Sequence, residues 1–335
     1  MVMELTATYT RPMKVQVKKG SEAERYYRGI AGLPGGSAML SFEIAPGIGP
    51  SAAHDLVFRG GKLVPKMEYT NFFVGGKQSW KPKDITRVDE ALFKAMTHAD
   101  LNNVMAQYFE DDISCIFRPS TILPGAAPKK VSQGDIENFV RSLHSQGTFN
   151  GFTLDSTIFN FMLPRGVVLN TNKTPTDNGL GASAALHPEN EASSLRGLGG
   201  YHGSIHVKPQ AGPQVTIYYS IGVFSEIRTD GSENGIAVFN QPWKNIVATF
   251  YHELNEFRTD PDVDDAIRAG DDPAGDKFLG WMSKQGEEVG DFPIAAADPL
   301  TEVFKEVKVG TTKVPIQFQF SNAVHGPEGP IKQPH

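Results

Sequence analysis

Residues 244–258 read KNIVATFYHELNEFR. Ile246, Phe250, Leu254 and Phe257 recur at the spacing of one apolar helix face, so the stretch is expected to be an amphipathic helix. Thr249, His252, Glu253 and Glu256 then project from the other side. Residues i and i+4 stand one turn apart on the same face, which lets His252 and Glu256 grip one cation together. Glu253, about 100° further round at 3.6 residues per turn, can hold a metal-bound water without ligating the metal. This is the arithmetic of the His-Glu-x-x-His metallopeptidase helix with Glu in place of the second His. The competing reading is a surface helix with acidic residues near their partner charges.

Working outward, the helix runs into Thr259-Asp260-Pro261-Asp262, then Asp264, Asp265, Asp271 and Asp272. Residues 280–291, GWMSKQGEEVGD, place Glu288 and Asp291 in a glycine-punctuated segment that can fold back toward the helix, and either carboxylate could be a third ligand. Asp260, Asp262 and Asp264 mimic the opening of an EF-hand loop. Asp265 stands where that loop needs Gly and Asp271 where it needs Glu, so the EF-hand is rejected.

Three blocks, HELNEFRTDP (252–261), GWMSKQGEEVGD (280–291) and GGYHGS (199–204), resemble the signature blocks of the EXORDIUM-type phosphate-induced proteins of plants and their bacterial and fungal relatives. The resemblance runs from about Met67 to Ser321 and includes NFFVGG (71–76) and LPRG (163–166). It implies a zincin-like fold and a metal site in which His252 and Glu256 are ligands and Asp291 or Glu288 is the third. It implies no substrate. Family members are usually secreted and often carry Cys before Gly-Tyr-His and after Gly-Asp; here those places hold Gly199 and Phe292, which agrees with an intracellular chain.

One His with two carboxylates is oxygen-rich for catalytic zinc and would acidify bound water less than two His and one Glu, so calcium or manganese stays open beside zinc. In a catalytic site the metal would polarise a carbonyl, Glu253 would take a proton, and a nearby donor would stabilise the oxyanion. His202 is the candidate donor, because Gly199, Gly200 and Gly203 let the chain approach closely. The alternative for His202 is a loop histidine packed for structural reasons. His206 and His325 read as a strand residue and a C-terminal loop residue.

The remaining elements set the fold class. Strands are expected over 63–74, 113–117, 156–163, 215–223 and, last in the chain, 314–320. Helices are expected over 84–98 and 132–143, with Ser132 as N-cap, and Leu101 to Tyr108 continues helically. Residues 170–200 read as a long functional loop. The order fits an α/β (α+β) domain with a mixed sheet over 61–335, preceded by a turn-rich N-terminal extension, 1–60, packed on it.

The 34 glycines and 23 prolines exceed the roughly 12% these residues ordinarily make up, so loops are abundant. A net charge of −6 without a block of like charge leaves no footprint for nucleic acid or an anionic membrane. The first twenty residues lack the apolar run of a signal peptide and no segment is long enough to span a bilayer, so the expected location is cytoplasmic, or secreted if a leader has been removed. The single cysteine, Cys115, excludes an internal disulfide and a cysteine zinc knuckle, and its apolar setting reads as buried and inert. Dinucleotide, P-loop and α/β-hydrolase motifs are absent. Trp243 and Trp281 read as packing residues. The expected function is a zinc-dependent hydrolase of metallopeptidase type; the alternatives are a non-catalytic binding module with a structural metal site and a metal-dependent enzyme acting on a small molecule rather than a peptide.

Overall fold

Six strands build one mixed sheet: β1 (Val15–Val17), β2 (Lys66–Phe73), β3 (Ser114–Ile122), β4 (Thr157–Met162), β5 (Leu198–Val207) and β6 (Val215–Gly222). The computed structural model describes residues 15–18, 21–23, 45, 47–171, 192–208, 213–269 and 274–335. The spatial order is β1-β5-β6-β4-β2-β3. β2, β3, β4 and β6 run parallel, and β5 runs antiparallel to both of its neighbours. Val15–Val17, from the segment read as an N-terminal extension, is thus an edge strand of this sheet.

Parallel neighbours need crossovers, and helices supply them. α1 (Pro82–Thr97) links β2 to β3, and α2 (Gln133–Ser145) links β3 to β4. Pro82 starts α1 at its first turn, where no N–H is missed. Ser132 starts α2 with a capping box, accepting from the Asp135 N–H while Asp135 accepts from the Ser132 N–H. α3 (Pro242–Thr259) lies with α1 on one face, and α2 covers the other.

Strand alternation sorts the core between these faces. Ile158 and Met162 of β4 join Val88 and Leu92 of α1 and Phe250 and Leu254 of α3. Phe159 and Phe161 point the other way, onto Ile136, Val140 and Leu143 of α2. Because both faces are covered, β4 is buried at every position.

A polar row crosses the α1/α3 face. Asn71, Asn160, Ser220 and His202 stand in register on neighbouring strands. Ser220 donates to Asn160 (2.6 Å), Asn160 to Asn71 (2.9 Å) and Asn71 to Asp89 of α1 (2.8 Å), while Ser120 also donates to Asp89 (2.6 Å). A one-residue slip of any of these strands would bury several unmet hydrogen-bonding groups, so the row fixes the register that delivers His202 to α3.

Two structural findings depart from the sequence reading. α3 has no solvated face: every residue from Asn245 to Thr259 is buried, because the helix lies between the sheet and the strand Thr312–Gln317 with residues 280–291 folded against it. The run 314–320 breaks at Phe318: Thr312–Gln317 pairs with Phe304–Val309, while Gln319–Ser321 pairs with Gly326–Glu328, the last strand.

Close approach of α3 to the sheet requires glycine. Gly200 and Gly222 face each other across β5 and β6; a Cβ at Gly200 would lie 2.7 Å from the Ile221 carbonyl oxygen and 2.9 Å from Thr249 Cγ2. Neither neighbour can move freely, one being backbone and the other a buried side chain. Gly200→Ala should therefore lower stability by about 1–3 kcal/mol, as overpacking does. A urea-unfolding midpoint equal to that of the wild type would contradict this.

Candidate metal centre

The last two turns of α3 carry His252, Glu253 and Glu256, and Asp260 caps the helix before Pro261, which biases that residue away from helical backbone. Opposite them, Trp281–Ser283 pairs with Leu56–Phe58, a turn follows at Gly286, and a short helix, α4 (Asp291–Ala296), begins. Asp291 is at its first turn, and its side chain accepts from the Glu288 N–H (3.0 Å). Glu288 and Asp291 are thereby locked together facing α3. Glu287 has a different job: it accepts from Ser283 and lies 2.6 Å from His54 Nδ1.

His252 is held in one tautomer. Gln317 donates its amide nitrogen to the Gly290 carbonyl (2.7 Å), so its amide oxygen is the atom 3.0 Å from His252 Nδ1. That oxygen can only accept, which places the proton on Nδ1 and leaves the Nε2 lone pair 3.0 Å from Glu256 Oε1. Gln16 of β1 donates to the same Gln317 oxygen (3.2 Å). Gly290 is required here, since a Cβ at that position would stand 2.2 Å from His252 Nδ1.

The sequence read His202 as part of a glycine-rich loop. The structure places it in the middle of β5, 1% exposed. Its Nδ1 lies 3.3 Å from Glu253 Oε2 and 3.7 Å from Glu256 Oε2; its Nε2 lies 3.6 Å from Glu288 Oε1 and 3.4 Å from the Asp260 carbonyl oxygen. Both ring nitrogens thus face oxygen atoms of the cluster.

All six residues singled out from the sequence (His202, His252, Glu253, Glu256, Glu288 and Asp291) come together, and Asp260 joins them. Two ligand groups result, His252/Glu256/Asp291 and His202/Glu256/Glu288; within each, the ligand atoms lie within 4.8 Å of one another. Five carboxylates are at most 2% exposed here, and among the described residues no Lys or Arg pairs with them. His252 Nε2, Glu253 Oε1, Glu256 Oε2, Asp260 Oδ2 and both Glu288 oxygens lack a hydrogen-bond partner.

Such a group must be neutralised. Burial pushes all five carboxyls well above the usual carboxylate range; for Glu253, Glu288 and Asp291 the next contribution is repulsion from Glu256. Burial also depresses His252 to about 4, against the attraction of Asp291. Isolated buried charges cost several kcal/mol each, so the cluster takes up protons or cations. Its donors, neutral imidazole nitrogens and carboxylate oxygens, are those of divalent metal sites. These buried His, Glu and Asp groups could hold a metal ion.

The other sequence candidates are accounted for elsewhere. Asp262 accepts from Tyr218 (2.7 Å), Asp264 from the Ser204 N–H (3.1 Å), and Asp265 meets His206 and Arg268 (2.7 Å each). These partners leave no EF-hand loop. Asp271, Asp272 and residues 172–191 of the expected loop lie outside the described residues. His325 contacts Asp55 (2.8 Å), and Trp281 donates to the Tyr108 carbonyl (2.8 Å). Cys115 is half-buried, with its thiol pushed up to about 12 by desolvation, which leaves little thiolate at neutral pH. Asp260 and Gln317 were missed. The Asp-Pro stop of the helix hinted at the first, whereas nothing near Gln317 marks it.

Comparison of the chain with protein-family models, with curated proteins and with solved structures finds no match in any of the three. Among the described residues, no helix is long and apolar enough to cross a membrane.

Proposed function

We propose that the protein is a divalent-metal-dependent hydrolase of zincin-like type, with zinc as the favoured ion and a peptide or small molecule as substrate. His252, Glu256 and Asp291 would hold the metal. The observation that supports this best is the convergence of buried, unpaired donors from α3 and residues 288–291 around a histidine whose tautomer is fixed for ligation.

When bound, the ion supplies Lewis acidity and acidified water. The chain supplies the rest. Glu253 Oε1 is unpaired and burial raises its carboxyl well above the usual carboxylate range, so it can take a proton. Its Oε2 lies 3.3 Å from His202 Nδ1, a contact through which His202 orients the Glu253 carboxyl.

Glu253→Gln should retain the metal and lose about 10²- to 10⁴-fold in turnover, the usual contribution of a general base. Metal analysis and assay of peptide and ester substrates would check both parts. Unchanged turnover would remove Glu253 from the chemistry.

Burial of the donors favours a second reading, a structural metal in a binding module. His252, Glu253 and Glu256 are 0% exposed, whereas catalytic zinc keeps an open position. Retained metal with no hydrolysis by the wild-type protein would decide for this reading.

A further inference from the structure

We infer that the cluster is a two-cation centre with Glu256 as the bridging carboxylate. This rests on the reading above, that the site holds divalent metal. The two oxygens of Glu256 serve different groups. Oε1 faces His252 Nε2 (3.0 Å) and accepts from the Gly290 N–H (3.3 Å), on the side of Asp291. Oε2 faces His202 Nδ1 (3.7 Å), on the side of Glu288, and has no hydrogen-bond partner. Each side thus offers one imidazole nitrogen, one oxygen of Glu256 and one further carboxylate. A carboxylate shared in this way spans ions about 3.5–4 Å apart, as in two-metal hydrolytic sites.

One ion does not satisfy the cluster. Placed among His252, Glu256 and Asp291, it leaves both oxygens of Glu288 buried without a hydrogen-bond partner. Charge leads to the same result. Five buried carboxylates with one divalent ion retain three negative charges; with two ions they retain one. Each three-donor set contains one nitrogen and two carboxylates, a composition suited to zinc or manganese. The second position also gives His202 a direct role as ligand.

The test is metal stoichiometry on the full chain, stripped with chelator and dialysed against buffered zinc. The expected result is two zinc ions per wild-type chain and one in Glu288→Gln, an isosteric change that circular dichroism would confirm as folded. Loading the wild-type protein with manganese needs no variant: its electron paramagnetic resonance spectrum should show an exchange-coupled pair. Glu256→Gln should abolish that coupling. One zinc per wild-type chain with an uncoupled manganese spectrum would overturn the two-cation centre and leave the proposed hydrolase standing. No bound zinc or manganese would overturn both.

Discussion

Glu256→Gln is expected to reverse sign with metal. In buffered zinc, the variant should bind more than about 100-fold more weakly than the wild type, because a charged ligand is lost, whereas losing a partner of a ligand already costs 10- to 100-fold. It should then unfold at lower temperature than the loaded wild type. After metal removal the order should invert. Metal-free wild type buries five carboxyls with neither a Lys nor an Arg among the described residues to pair them, and Gln in place of Glu256 removes the group that the others repel most. A gain on the order of 1–3 kcal/mol follows from relieving one such group. Thermal unfolding of both proteins, with and without zinc, gives the four values needed. Parallel curves with no crossover would show that Glu256 acts only as a structural residue.

The metal-free protein should also lose stability as pH rises, which is the reverse of ordinary acid denaturation. The five carboxyls are raised in the folded state, so folding takes up protons, and stability present below the ordinary carboxylate range of roughly pH 4 is lost as these groups ionise. His252 opposes this, since its folded value of about 4 lies below the ordinary 6.5 and favours the folded state as pH rises between those two. Above about pH 6.5 only the carboxyls remain. Each extra proton held by the folded state contributes about 1.4 kcal/mol per pH unit, so the melting temperature of the metal-free protein is expected to fall as pH rises through the range in which these carboxyls ionise. Added zinc replaces the protons and should flatten the curve. A melting temperature that climbs with pH in the absence of metal would contradict the burial of this cluster.

What the sequence made legible is what local chemistry determines. The period of Ile246, Phe250, Leu254 and Phe257 marks α3, and Ser132 with Asp135 marks the start of α2, because each signal lies within the element it predicts. The spacing of His252 and Glu256 marks half of the centre for the same reason. The other half depends on contacts distant in sequence. GGYHGS reads as a loop because glycines punctuate turns, yet Gly200 is there to admit α3 and Gly203 to admit Asp264, and the segment is a strand. Acidic residues are rarely buried, and the complete burial of Glu253, Glu256 and Glu288 is a property of the packed fold that no local spacing marks.

Gln317 ties together parts of the chain that are made at very different times. It receives a hydrogen bond from Gln16, 301 residues earlier, and sets the proton on His252. During synthesis the nascent chain can form α3 and expose its histidine before Gln317 has left the ribosome, but the imidazole is then free to choose either nitrogen for its proton. Any ion held in the geometry proposed above therefore requires Gln317 to be in place first, and it would act as a seal on a formed fold rather than as a seed for it.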